Sequence, residues 1–307
     1  MMKVLVTGGA GFIGSHLVDR LSQQAEYEVI ILDNLLRGRL ENIAHHRHNP
    51  RIDFVHGDVR RYGDVLDAMR GCQIVYHLAA QTRVMSSVSR VDACFETNVI
   101  GTFNVLKAAH HLEVSKVIFT SSGEVYGEPR HLPVDESHPL RSKNPYGASK
   151  VAAEVYCQVF QEIYALPVIV LRLSHVYGPR DVERVIPIWV RNALDGKDLI
   201  VYGGEQIIDI IWVEKVTEAL LRATALPTPS EPINIGNGKG VPILTLAKRI
   251  LELTNSPSQL VLKPPRAAEV VRYEPRVERM RTLLDLHPTE DALEHLPELI
   301  TIWRESL

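Results

Sequence analysis

Tyr146 and Lys150 stand four residues apart in Tyr146-Gly147-Ala148-Ser149-Lys150, a spacing that puts both side chains on one face of a helix. A phenol with a pKa of about 10 is a poor base at neutral pH. An ammonium within about 4–6 Å favours the phenolate. The pair therefore offers a proton acceptor for a substrate hydroxyl, with Tyr146 as the base. The run Thr120-Ser121-Ser122-Gly123-Glu124-Val125-Tyr126-Gly127 supplies Ser122, which can share that proton and steady a developing carbonyl oxygen. Glu124 adds a carboxylate to the same turn. The plain alternatives are a surface Tyr-Lys pair, a serine capping a loop and a glutamate held at the next turn.

A second constellation lies at the N-terminus. Gly8-Gly9-Ala10-Gly11-Phe12-Ile13-Gly14 follows a strand-like run and opens a helix. Backbone N–H groups and a helix N-terminus can then meet a pyrophosphate with no Cβ in the way. Asp33 ends the second strand, where a carboxylate accepts hydrogen bonds from an adenosine ribose and repels a 2′-phosphate. NAD is therefore expected over NADP, although Arg37 and Arg39 lie close by. Asp58, in Gly57-Asp58-Val59, either meets the adenine or caps the following turn. Small residues in His77-Leu78-Ala79-Ala80 let a dinucleotide lie across the sheet edge.

The elements that hold these residues follow from the apolar pattern. Residues 4–6, 29–32, 53–55, 74–78, 116–119 and 168–171 read as strands, most of them continuously apolar, as in a parallel sheet covered on both faces. Helical patterns over 13–23, 64–69, 97–111 and 146–163 lie between them. The alternation predicts an α/β fold, a doubly wound parallel sheet. After Gly178 prolines gather (Pro227, Pro229, Pro232, Pro264, Pro265), and helices are expected over 186–194, 214–224 and 244–253. Residues 1–177 are expected to form the nucleotide-binding domain. Residues 178–307 are expected to form mainly a smaller substrate-binding lid, free to cross back to the sheet.

Together these motifs resemble the extended short-chain dehydrogenase/reductases, in their NAD-dependent sugar epimerase/dehydratase branch. The resemblance rests on Thr7 to Leu17, Asp33 to Leu35, His77 to Ala80, Asn98, Ser121 to Gly127 and Pro145 to Lys150. Arg172 to Arg180, Val185 to Pro187, Asn234 to Gly236 and Pro264 to Arg272 extend it. It implies a Rossmann domain, tightly held NAD, a nucleotide-sugar substrate and a homodimer built from helices near 92–111 and 146–163. The cofactor contacts it implies are Gly8, Gly11, Phe12, Ile13, Gly14, Asp33, Asn34, Asp58, Val59, Leu78, Ala79, Ala80 and Asn98, with Tyr146 and Lys150 at the reactive end. The substrate contacts are Ser87, Ser122, His175 and Arg272, with Arg184 as a helper.

The turn after Ser122 divides the branch. In the family's 4,6-dehydratases an Asp-Glu pair stands there, and here the pair is Gly123-Glu124. UDP-glucuronate decarboxylases resemble this stretch more closely, and Glu124 keeps them in view. A 4-epimerase needs no additional acid or base, so 4-epimerisation of a UDP-sugar is expected, with uronic acids admitted. Ile208 stands where the family usually has a diphosphate-binding Arg, and Arg272 matches the other one. His175 replaces an Asn. Arg83 has a sugar carboxylate as one reading and a solvated loop as the other. A non-catalytic dinucleotide sensor is the rival of another class, and the trio Ser122, Tyr146 and Lys150 argues against it.

Composition limits the partners. The chain has 307 residues, 45% hydrophobic, and a net charge of -3, so it carries no basic field for nucleic acid. No apolar run approaches the roughly 20 residues of a membrane span. The start reads as a strand rather than a leader. Cys72, Cys94 and Cys157 form no CxxC pair and fit a reducing cytoplasm. His45, His46 and His48 cluster near Pro50 with no Cys or carboxylate at ligand spacing, so a solvated loop and no metal are expected.

Overall fold

Neighbouring residues of the first strand face opposite apolar layers: Val4 and Val6 join one buried cluster, Leu5 the other. Ile31 divides from Ile30 and Leu32 in the same way, which is why these strands lack polar alternation. The computed structural model describes residues 1–228 and 230–305; Pro229, Ser306 and Leu307 lie outside the described residues. β1 (Met2–Thr7) turns at Gly8 into α1 (Phe12–Ser22). β2 (Tyr27–Asp33), β3 (Ile52–His56), α2 (Tyr62–Met69) and β4 (Ile74–His77) follow. Next come α3 (Val84–Ser89), α4 (Val91–Phe95) and α5 (Gly101–His111), the last two joined by a π turn over Glu96–Ile100. The helix expected over 97–111 therefore starts earlier and carries a local widening. β5 (Lys116–Ser122), α6 (Pro145–Tyr164) and β6 (Val168–Leu173) complete the first half. Asn144 caps α6 by accepting the Gly147 N–H at 2.9 Å, and Pro145 fills the first helical position, where no N–H is needed.

The later chain runs through β7 (His175–Tyr177), α7 (Val185–Leu194), β8 (Leu199–Tyr202), β9 (Ile207–Ile208) and β10 (Ile210–Trp212). It continues with α8 (Val213–Ala223), β11 (Ile233–Ile235), β12 (Val241–Pro242) and α9 (Ile243–Thr254). β13 (Leu260–Lys263), α10 (Glu278–Leu284) and α11 (Leu296–Glu305) end it. The central sheet has seven parallel strands in the order β11-β6-β5-β4-β1-β2-β3. The order reverses between β1 and β4, and a doubly wound sheet opens its ligand crevice at the carboxyl ends of such a pair.

The two expected regions interleave. β11 pairs with β6, and α8 packs on α1. One apolar cluster runs from Ile169 and Leu171 in the sheet to Trp189, Val190, Leu246 and Ile250 beyond it. The pairs β7–β10, β8–β13 and β9–β12 build the wall that faces the crevice. The histidine segment departs from the expected loop. Leu40–His46 forms a 3₁₀ helix, His46 is buried, and Asp19 of α1 supplies the carboxylate that sequence spacing lacked.

Candidate active site

A cavity of about 780 Å³ lies at the carboxyl ends of β1, β2, β4 and β5, closed from above by segments of the later chain. That is the size of a pocket for a large organic ligand. Gly8, Gly11, Phe12, Ile13, Gly14, Asp33, Asn34, Val59, Leu78, Ala79 and Ala80 all line it. Gly8 adopts a left-handed φ of +72°, and a Cβ there would stand 2.8 Å from the Ala79 nitrogen. Only bare backbone lets the end of β1 approach the turn after β4 so closely. Asp33 accepts the Ala10 N–H at 3.0 Å and the Leu35 N–H at 2.9 Å. Burial raises its pKa, and each oxygen can still accept one further bond. Arg37 donates to Glu183 at 2.6 Å and to Thr82 at 2.8 Å.

Two expected cofactor contacts stand behind the wall rather than in it. Burial works against the Asp58 anion, yet hydrogen bonds from Arg60 and Asn34 hold its carboxyl far below the usual range. Asn98 is fully buried. It accepts the Gln81 N–H at 2.8 Å and donates to the Gln81 carbonyl at 2.9 Å and Ser149 at 2.8 Å. It thereby fixes the loop that follows Ala80, which does line the cavity.

Ser122, Glu124, Tyr146 and Lys150 meet in one wall of this cavity. The Lys150 ammonium donates to the Thr120 carbonyl at 2.9 Å and lies 4.7 Å above the Phe119 ring. Burial pushes it down to about 8. Burial likewise pushes the Tyr146 phenol up to about 12, opposed by the Ser122 hydroxyl and the Arg184 guanidinium. Within the polypeptide alone, then, Ser122 and Arg184 make the phenol more acidic. The Lys150 ammonium is anchored on the Thr120 carbonyl of β5. Two of its three N–H bonds remain for other acceptors, and ribose hydroxyls are suitable ones. Glycine turn, ribose carboxylate and lysine donors together fit a bound NAD.

Glu124 is largely buried, which raises its pKa, and it accepts a 2.7 Å hydrogen bond from the Asn144 amide. Beside it the Gly123 side-chain position is already filled. A Cβ there would lie 2.4 Å from Cζ of Tyr273 and 2.7 Å from its hydroxyl oxygen. The Tyr273 ring is buried, stacks 6.2 Å from Tyr126 and lines the cavity.

At the substrate end some of the expected residues lie outside the cavity wall. His175 lines the cavity, its imidazole kept neutral by desolvation and by Arg184. Ser87 is buried outside the cavity wall; its hydroxyl donates to the Val84 carbonyl at 2.7 Å and accepts the Tyr146 N–H at 3.1 Å. Arg272 is exposed and outside the cavity wall. Its segment is extended and tied to Ile207 through Val271 O and Tyr273 N, so Tyr273 points inward and Arg272 outward. Arg266, by contrast, lines the cavity, with its guanidinium 3.4 Å from the Tyr202 ring centroid and 3.1 Å from Glu269. Sequence reading missed Arg266 and Tyr273; the Pro264-Pro265 break just ahead of Arg266 was the available signal. Ile208 also lines the cavity, without charge. Arg83 lies 2.9 Å from Glu183, a carboxylate it shares with Arg37.

A profile described as the NAD dependent epimerase/dehydratase family matches residues 4–236. The chain belongs to this family. It is 38% identical over 287 residues to a putative UDP-glucose 4-epimerase of Methanocaldococcus jannaschii, covering 91% of this chain and 92% of that one. Among solved structures it resembles the UDP-glucose 4-epimerase of Thermotoga maritima, crystallised with UDP-glucose, with a TM-score of 0.93, 33% identity and 99% of both chains covered. It resembles equally a dTDP-glucose 4,6-dehydratase of Streptomyces venezuelae with NAD bound, with a TM-score of 0.94, 32% identity and 99% and 97% covered. The family fixes an NAD-dependent enzyme; overall similarity does not separate epimerase from dehydratase. Among the described residues no helix is long and apolar enough to cross a membrane.

Proposed function

We propose that the chain is a nucleotide-sugar 4-epimerase acting on a UDP-sugar through a transient 4-keto sugar. The observation that carries this reading is the Tyr273 ring in the space beside Gly123. Elimination of water needs a second acid next to Ser122, and that space has neither a carboxyl nor room for one. Epimerisation needs only what the site holds. Tyr146 takes the proton from the sugar's O4 hydroxyl and later returns it. Ser122 hydrogen-bonds to the phenol and steadies the forming carbonyl oxygen. Lys150, anchored on Thr120, orients the ribose. Bound NAD supplies the acceptor and donor of the C4 hydride. Arg266, rather than Arg272, is placed for the substrate diphosphate.

The experiment is to incubate the purified protein with UDP-glucose, UDP-glucuronate and dTDP-glucose and identify the products. The expected result is the 4-epimer of UDP-glucose without added reduced cofactor. Release of CO2 or loss of water would overturn the reading. Tyr146→Phe should cut turnover by about 10²–10⁴-fold while the protein still carries NAD; unchanged turnover would remove Tyr146 as the base.

A homodimer belongs to the same proposal. Val91, Phe95 and Phe103 lie exposed along α4 and α5, and Val155, Val159 and Ile163 form an exposed stripe at i, i+4 spacing on α6. A second copy packing these helices against its own would cover both. Light scattering should give twice the mass of one chain, and a one-chain mass would refute the dimer.

A further inference from the structure

The histidine segment carries a second constellation, remote from Tyr146 in function and unused by the chemistry above. His45 and His46 sit at the end of the 3₁₀ helix Leu40–His46, and Asp19 lies on α1. Both imidazoles aim Nε2 at the same atom, Asp19 Oδ1, each at 2.7 Å. The two rings lie 4.0 Å apart, and the three candidate ligand atoms fall within 4.8 Å of one another. We propose that His45, His46 and Asp19 form a binding site for one divalent transition-metal ion of the zinc or cobalt type.

Three features of the cluster favour an ion over a simple hydrogen-bonded group. First, one carboxylate oxygen serving two imidazole nitrogens is a donor set of two nitrogens and an oxygen, which suits zinc and its neighbours and leaves an open position for water. Second, the adjustment is small. Ligand atoms around tetrahedral zinc stand about 3.3 Å apart, so each imidazole withdraws from Oδ1 by only about 0.6 Å. His45 has the freedom to do so, since its side chain is 48% exposed, and it also leaves a path for entry. Third, the other carboxylate oxygen is already held: Arg180 contacts Asp19 Oδ2 at 2.8 Å. Carboxylates that ligate metals are held in this way by an outer partner, which fixes their orientation.

The site has a structural consequence. It pins the segment after β2, which carries the cavity residues Arg39 and Asn42, onto α1. Through Arg180 it also touches the stretch leading to Glu183 and Arg184 in the opposite wall.

The test uses the NAD-loaded protein, treated with chelator, dialysed, and titrated with Co2+ and then Zn2+. The expected result is one ion per chain, a visible cobalt absorption displaced by zinc, and a rise in Tm of about 5 °C at a hundredfold excess over Kd. His45→Gln changes an exposed residue and should weaken cobalt binding by at least about tenfold with NAD content unchanged. Asp19→Asn should act likewise. Absence of saturable binding below about 1 mM, or an affinity and stoichiometry unaltered in His45→Gln, would overturn the site. The second outcome would place the bound ion on other histidines.

Discussion

Gly123→Ala tests the packing on which the proposed reaction depends. A Cβ at 123 would lie 2.4 Å from Tyr273 Cζ, about 1 Å short of the 3.4 Å at which ordinary contact begins. Tyr273 has little room to retreat. Its backbone N–H is held by the Ile207 carbonyl at 2.9 Å, and its ring is buried against Tyr126. Overpacking of this kind costs about 1–3 kcal/mol. Tyr273→Ala alone removes a buried ring and should cost about 3–5 kcal/mol. In the double variant the new methyl enters the vacated space, so Gly123→Ala should then add almost nothing. The coupling energy of the cycle should thus be about 1–3 kcal/mol, with the double variant more stable than the sum of the singles. Urea unfolding of the four proteins at one NAD concentration measures it. If Gly123→Ala costs the same with and without the Tyr273 ring, or costs nothing at all, the ring does not occupy that space and the case against a second acid fails.

Lys150 gives a pH dependence whose sign follows from its burial. Between about 8, its folded value, and the 10.5 of a free lysine, the unfolded chain holds more protons, so this residue makes stability rise with pH by up to about 3 kcal/mol. After NAD removal, the stability difference between the parent and Lys150→Met should grow in the parent's favour from pH 7 to pH 10; a flat difference would show that Lys150 is not dehydrated. Arg266→Ala should raise KM for the nucleotide-sugar by roughly 10–100-fold, the loss of one charged hydrogen bond, whereas Arg272→Ala should leave it unchanged. The reverse pattern in steady-state kinetics would return the diphosphate to Arg272. Glu124→Gln should keep turnover within about tenfold, since loss of a true acid or base costs about 10²–10⁴-fold. A loss of the larger size in product formation would bring Glu124 into the chemistry.

The sheet, the nucleotide turn and the Tyr146–Lys150 spacing are legible in the order of residues alone. Each is a local property. Unbroken apolar runs identify strands covered on both faces, Gly8 sits where the chain needs a left-handed turn, and a four-residue spacing on α6 puts phenol and ammonium on one side. The outward position of Arg272 depends on docking, because inward and outward positions alternate along residues 271–273 and the pairing with Ile207 sets the phase. The tertiary structure alone brought Asp19 to His45 and His46, and Tyr273 to Gly123 across 150 residues of chain. It also turned the Lys150 ammonium toward the Thr120 carbonyl and brought Ser122 and Arg184 to the phenol. Such pairings depend on how separate elements dock, and residue spacing carries no record of that.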